Sequence, residues 1–258
     1  MKEFKITEYA RLQIRKLFSQ RNSVNTLKRD PELTQIFDNF AFDEALKLTE
    51  EPVLEKTRAM CILASTIGCN AMREFKVYVD VCLNVGVKPR EIREVIYQTV
   101  PYVGFSKMID FLLEMNEVFE DNDIKLPLDA QSTTTVENRR EKGREYIDSI
   151  FGVGTAAQME KDAPKGQEHI VEFMESYCFG DFYTRHGIDK EHRIQVTFCM
   201  LAYMGVDQPQ LEQLGIGCKN VKITKKEMVA VLTGMLPYIG FPKTLNALTA
   251  INKAYPEE

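Results

Sequence analysis

The stretch that decides the fold is Val100-Pro101-Tyr102-Val103-Gly104-Phe105-Ser106-Lys107, because it returns as Leu236-Pro237-Tyr238-Ile239-Gly240-Phe241-Pro242-Lys243. The spacing from Pro101 to Pro237 is kept upstream, where Glu91 meets Glu227 and Val95 meets Val231, and downstream, where Leu112 meets Leu248. A period this long indicates two copies of one domain rather than a solenoid, whose repeats run to roughly 20–50 residues. Within the stretch, Pro101 and Pro237 follow apolar helical runs and are expected to end or kink them. Gly104 and Gly240 allow a positive φ or a close backbone approach. On these residues alone the segment is a hinge between helices, with Lys107 and Lys243 near the start of the next one.

Outward from the hinge the pattern is helical throughout. Residues 7–20 carry apolar positions at i, i+3 and i+4 spacing. Asp30-Pro31-Glu32 opens a helix with Leu33, Ile36, Phe37 and Phe40 on one stripe, running to about Leu46. Further helices are expected from Leu54 to about Gly68, from Ala71 to Val85, over 90–99 before the hinge, and from about Ser106 to Phe119. Residues 121–135 are polar and unpatterned and read as a linker ending at 136. The second copy then opens with a helix carrying Gly143, Tyr146, Ile147 and Ile150. Phe179 falls opposite Phe42, Arg193 opposite Arg58, and 210–221 opposite 74–85. No strand series is found. The expectation is an all-α tandem, with domains over 1–120 and 137–258.

At 258 residues, 44% hydrophobic and 28% charged, the chain is long enough for two ordinary globular cores. A net charge of −5 without a basic cluster argues against nucleic acid as a partner. No run approaches the roughly 18 apolar residues of a membrane span, and the N-terminus lacks an apolar signal core. Six cysteines without a C-x-x-C pair suit neither zinc nor a disulfide framework, so the expected setting is the cytosol, with no metal and no cofactor. His186 and His192 flank Asp189 and Glu191, but no matching ligand set occurs in the first copy, so they read as a cap or a solvated loop.

Aligned on one another, the two copies resemble the carboxymuconolactone decarboxylase family, which includes the alkylhydroperoxidase D-like proteins. The resemblance covers about residues 30–120 and 137–256. It rests on an ordered series: Arg58 and Arg193 on the first core helix, Asn84-Val85 and Asn220-Val221 ending the second, Glu91 and Glu227 opening the third, then the Pro-Tyr-x-Gly-Phe turn and Leu245-Asn246-Ala247-Leu248. It implies an all-helical domain that assembles into trimers or hexamers. It also implies catalytic places that this chain fills differently. The decarboxylase His place is Tyr78 in the first copy and Leu214 in the second. The alkylhydroperoxidase Cys places are Ala71 and Glu74, then Asp207 and Gln210, and its Glu places are Ala59 and Ile194. Without a thiolate and a resolving thiol, the peroxidase (peroxiredoxin-type) mechanism does not carry over.

The remaining candidates are Tyr78, Cys82 and Cys218 for chemistry, and Arg58, Tyr102, Arg193 and Tyr238 for binding a small organic acid or lactone. Cys82 and Cys218 occupy matched helical places and also suit burial as small apolar residues. Arg58 and Arg193 suit a ligand carboxylate or a structural pairing with Glu55, Glu91 or their repeat partners. A first-copy pocket is expected from Arg58, Tyr78, Cys82 and Tyr102, and a second from Arg193, Cys218 and Tyr238. Two functions stay open: a non-catalytic helical oligomer that keeps a pocket, or an enzyme of the family working through other residues. Apolar residues in excess of what a ~120-residue domain can cover point to a homotrimer, with a dimer as the next choice.

Overall fold

The computed structural model describes residues 5–18 and 29–256. The part of the first expected helix beyond residue 18 lies outside them. Among the described residues thirteen α-helices carry the fold and no strand occurs. In chain order they are α1 (Glu8–Leu17), α2 (Pro31–Asn39), α3 (Glu55–Gly68), α4 (Met72–Asn84), α5 (Pro89–Val103), α6 (Phe105–Asp121), α7 (Arg139–Phe151), α8 (Thr155–Asp162), α9 (Glu168–Phe173), α10 (Lys190–Met204), α11 (Gln208–Asn220), α12 (Lys225–Ile239) and α13 (Phe241–Ala254). Two π-helical segments, Phe40–Ala45 after α2 and Met174–Tyr183 after α9, each lead toward a central helix. No helix among the described residues is long and apolar enough to cross a membrane.

The centre is the pair α3 and α10, which pack along each other. Both are buried almost all round, from Thr57 to Gly68 and from Arg193 to Ala202, as a helix apolar on every face must be. The outer helices then cross between the halves. The segment Phe40–Ala45 and α3 pack against α12, while Met174–Tyr183 and α10 pack against α5. Each half of the chain therefore supplies a wall to the other.

The residues that repeat in sequence hold matched joints. Asn84 Nδ2 donates to the Leu17 carbonyl at 2.9 Å, and Asn220 Nδ2 to the Ile150 carbonyl at 2.8 Å, so each Asn ties the second core helix to the helix that leads into its half. Glu91 and Glu227 accept from the backbone N–H of Lys88 and Thr224, closing the first turns of α5 and α12. Lys107 Nζ donates to the Gly68 carbonyl at 2.9 Å, and Lys243 Nζ to the Tyr203 carbonyl. Both lysines thus satisfy orphan carbonyls at the C-terminal ends of the central helices, where the helix dipole also favours a cation.

The hinge differs from its expected form in one respect. Pro101 and Pro237 do not end their helices; they lie inside the last turn of α5 and α12. A proline there removes only one intrahelical bond close to the end, so the helix continues. The stop falls at Gly104 and Gly240, at φ 78° and 77°, a conformation that a side chain would resist.

Candidate functional site

The tyrosines of the two repeated stretches reach across to the opposite half. Tyr238, from the second half, accepts a hydrogen bond at 2.5 Å from the Tyr78 hydroxyl of the first. The two rings meet edge to face with centroids 5.3 Å apart. Phe37 of α2 packs edge-on against Tyr238 at 5.8 Å and against Phe42 at 6.0 Å. Tyr102, from the first half, meets the Tyr183 hydroxyl at 2.6 Å, and Tyr183 donates to Thr197 at 3.1 Å. The expected grouping of Tyr102 with Arg58, Tyr78 and Cys82 is therefore corrected: Tyr102 faces Tyr183 and Cys178, and Tyr238 takes the place beside Tyr78. The cause is the crossing of α5 and α12, which a one-dimensional alignment does not contain. Burial pushes all four phenols above the usual tyrosine range.

The two matched arginines have different surroundings. Arg193 is 1% exposed. It donates to Gln98 Oε1 at 3.0 Å, Glu94 Oε2 at 3.1 Å, and the carbonyls of Arg185 and His186 at 2.8 and 2.9 Å. Glu94, wholly buried, also takes a two-pronged contact from Arg185 at 2.9 and 3.0 Å. Arg58 is 6% exposed, yet it donates only to Thr49 Oγ1 at 3.1 Å and lies 3.9 Å from Glu55 Oε1. Where α5 offers Gln98 to Arg193, α12 offers Gly234 to Arg58. A Cβ at Gly234 would lie 2.9 Å from Arg58 Cδ, so the missing side chain makes room for the arginine stem.

Two carboxyls that the sequence reading did not single out belong to the first site. Asp38 and Glu74 stand close enough to act electrostatically on Tyr238, and neither pairs with a described residue. Burial raises the pKa of both, Asp38 to about 6. Signals were available: Glu74 lies one helical turn before Tyr78, and Asp38 interrupts the aromatic run from Phe37 to Phe42. For Asp38 the linkage runs opposite to that of a salt-bridged carboxylate. Its folded pKa lies above the unfolded value, so its charge costs stability above pH 6, and the cost vanishes below about pH 4. Asp38→Asn should therefore raise the melting temperature at pH 7.5 and leave it nearly unchanged at pH 4. Equal shifts at the two pH values would count against this environment.

The cysteines bear out the structural half of their reading. Cys82 and Cys218 are fully buried, and burial holds their thiols far above the usual range. All six cysteines are free, and only Cys69 is part-exposed. Iodoacetamide on the folded protein should label Cys69 first, the other five reacting only after denaturation, as read by peptide mass. Among the described residues no His, Cys, Asp and Glu grouping is arranged to hold a metal.

The fold and site thus define an all-helical protein with composite polar clusters between its halves. Residues 31–117, from the first turn of α2 into α6, match the carboxymuconolactone decarboxylase family. No curated protein matches the sequence.

Proposed function

We propose that the chain is a tandem of two domains of that family whose first composite site binds a small organic acid or lactone, with Arg58 as the anchor. The observation that carries this reading is the unequal engagement of the two arginines. A guanidinium has five N–H donors, and Arg58 spends one on a hydrogen bond while held in a nearly solvent-free place. A ligand carboxylate would take up the spare donors in a charge-assisted pair, and Tyr238 has a hydroxyl proton to offer beside it. The second site reads as structural, because both terminal nitrogens of Arg193 are already engaged, Nη1 by Gln98 and Nη2 by Glu94 and two carbonyls, and Leu214 replaces the phenol of Tyr78.

Calorimetry with a small dicarboxylate and with an unsaturated γ-lactone acid tests the reading. Arg58→Met should weaken binding by roughly 10- to 100-fold, the equivalent of about 1.5–3 kcal/mol. Equal affinity in parent and variant would discard Arg58 as the anchor. A catalytic version of the same site is favoured by Glu74, a carboxyl that burial raises above its usual range and that makes no ion pair with a described residue, as suits a group that moves a proton. In that version carbon dioxide release from the lactone acid occurs in the parent and is lost in Glu74→Gln with binding retained.

The chain also assembles with copies of itself, a homotrimer being favoured. Leu33 and Ile36 on α2, and Ile170 and Phe173 on α9, are apolar and exposed at corresponding places before the two π-helical segments, as are Phe105 and Phe241 after the two hinge glycines. Repeated exposed apolar positions suit a contact made the same way by each half. Light scattering should give a mass near three chains, and a mass near one 29.7 kDa chain would reject the assembly.

A further inference from the structure

We infer that Thr57, His192 and Asp189 form a second reactive centre, in which Thr57 is a hydroxyl nucleophile toward small activated esters. Thr57 Oγ1 lies 3.0 Å from His192 Nε2, across the seam between α3 and α10. On the far side of the ring, His192 Nδ1 lies 2.6 Å from Asp189 Oδ1. The same carboxylate oxygen accepts the backbone N–H of His192 at 2.8 Å, as the N-cap of α10. The carboxylate is therefore fixed to the helix that carries the imidazole. Because Asp189 accepts at Nδ1, that nitrogen holds the ring proton, and Nε2 is left as the acceptor for the Thr57 hydroxyl. This is the hydroxyl–imidazole–carboxylate order that turns a weak alcohol into a nucleophile.

The surroundings suit the chemistry. Thr57 lies in the first turn of α3, whose N-terminal N–H groups have no side-chain cap, and such donors favour a developing oxyanion. Leu54, three residues earlier and 75% exposed, offers an apolar rest for a short acyl chain. The His192 side chain is a quarter exposed and Thr57 is 9% exposed, so the relay meets solvent at the imidazole, beside a hydroxyl that is largely covered. Arg58 reaches Thr49 rather than His192, so this centre is separate from the arginine–tyrosine site and stands or falls apart from it. Positions 57 and 192 correspond when Arg58 is matched to Arg193. Two identical domains would set like against like here; a hydroxyl facing an imidazole requires two different halves.

The step balances without a further reactant. Thr57 Oγ attacks the ester carbonyl as His192 Nε2 takes the hydroxyl proton. The tetrahedral adduct collapses, the ester C–O bond breaks, and the leaving alkoxide or phenolate receives that proton. Water then attacks the acyl-threonine with the same imidazole as base, releasing the carboxylic acid.

The probe is p-nitrophenyl acetate with the full chain. The expected result is a burst of nitrophenol, with the acetyl group mapped to Thr57 by peptide mass. His192→Gln should slow acylation by roughly 10²–10⁴-fold, the contribution of a positioned base. Asp189→Asn should also lower it, and Thr57→Ser should keep or raise it. Should Thr57→Val unfold, the serine variant and His192→Gln still decide. Acetylation confined to lysines, or an unchanged Thr57 rate in a folded His192→Gln protein, would overturn the proposal and leave the contact as a clasp between α3 and α10.

Discussion

Gly143→Ala should lower the urea midpoint sharply, by about 3 kcal/mol or more of stability, although it adds one methyl to the interior of a helix. Helix propensity alone predicts the opposite sign, because alanine is favoured over glycine inside a helix by about 1 kcal/mol. Packing decides it. A Cβ on Gly143 would fall 1.7 Å from the Glu175 carbonyl oxygen and 2.8 Å from the Gly180 nitrogen. Both obstacles are backbone, so no rotamer change relieves the clash, and α7 must separate from the segment Met174–Tyr183. Ordinary overpacking costs about 1–3 kcal/mol. Here the separation also strains the contacts of Arg140 Nε and Arg144 Nη1 with the wholly buried Glu175, at 2.8 and 2.7 Å. Loss of a partner from a buried ion pair adds several kcal/mol. Equilibrium denaturation of the variant beside Ser149→Ala, an exposed change on the same helix, separates the effects. A midpoint for Gly143→Ala equal to or above that of the parent would contradict this contact.

The helices were legible because burial imposes a period on sequence, and the stretches that recur along the chain gave several readings a second trial. α3, α4 and α7 fall close to where the apolar positions put them. The hinge lysines and the Asn-Val pairs could be seen to recur, but not what they recur for. Asn84 and Asn220 bind carbonyls 67 and 70 residues earlier in the chain, a separation beyond any local pattern. The site was legible only in its parts. Tyr78, Tyr238 and Arg58 were singled out, and so were Tyr102 and Arg193, but their grouping followed the copies in sequence, whereas the helices exchange partners. Periodicity says which face of α5 is buried; it does not say that α10 of the other half buries it. Tyr183 was missed for a related reason. It lies in a π-helical segment, where the 3.6-residue period that would place it inward is broken.

Exchanging each matched arginine for methionine should give results of unequal size. Arg193→Met is expected to cost about 3–5 kcal/mol. Glu94 keeps Arg185, but Gln98 Oε1 and the carbonyls of Arg185 and His186 lose a buried donor together. Each orphaned acceptor costs about 1–3 kcal/mol, with the sum reduced by relaxation. Arg58→Met should change stability by less than about 1 kcal/mol in either direction. It removes a desolvated cation with one hydrogen bond, and methionine refills most of the volume along Gly234. Burial alone lowers the tendency of both guanidiniums to stay charged, while Glu94 offsets this at Arg193 and the looser Glu55 does so at Arg58. Unequal costs are what the proposed ligand-binding role of Arg58 and a structural role of Arg193 predict. Guanidinium denaturation of both, without ligand, measures the difference directly. If Arg58→Met proved as costly as Arg193→Met, Arg58 would be a structural ion and the first site would lose its anchor. If Arg193→Met were harmless, the buried network around Glu94 would not be what fixes the crossing of α5 and α10.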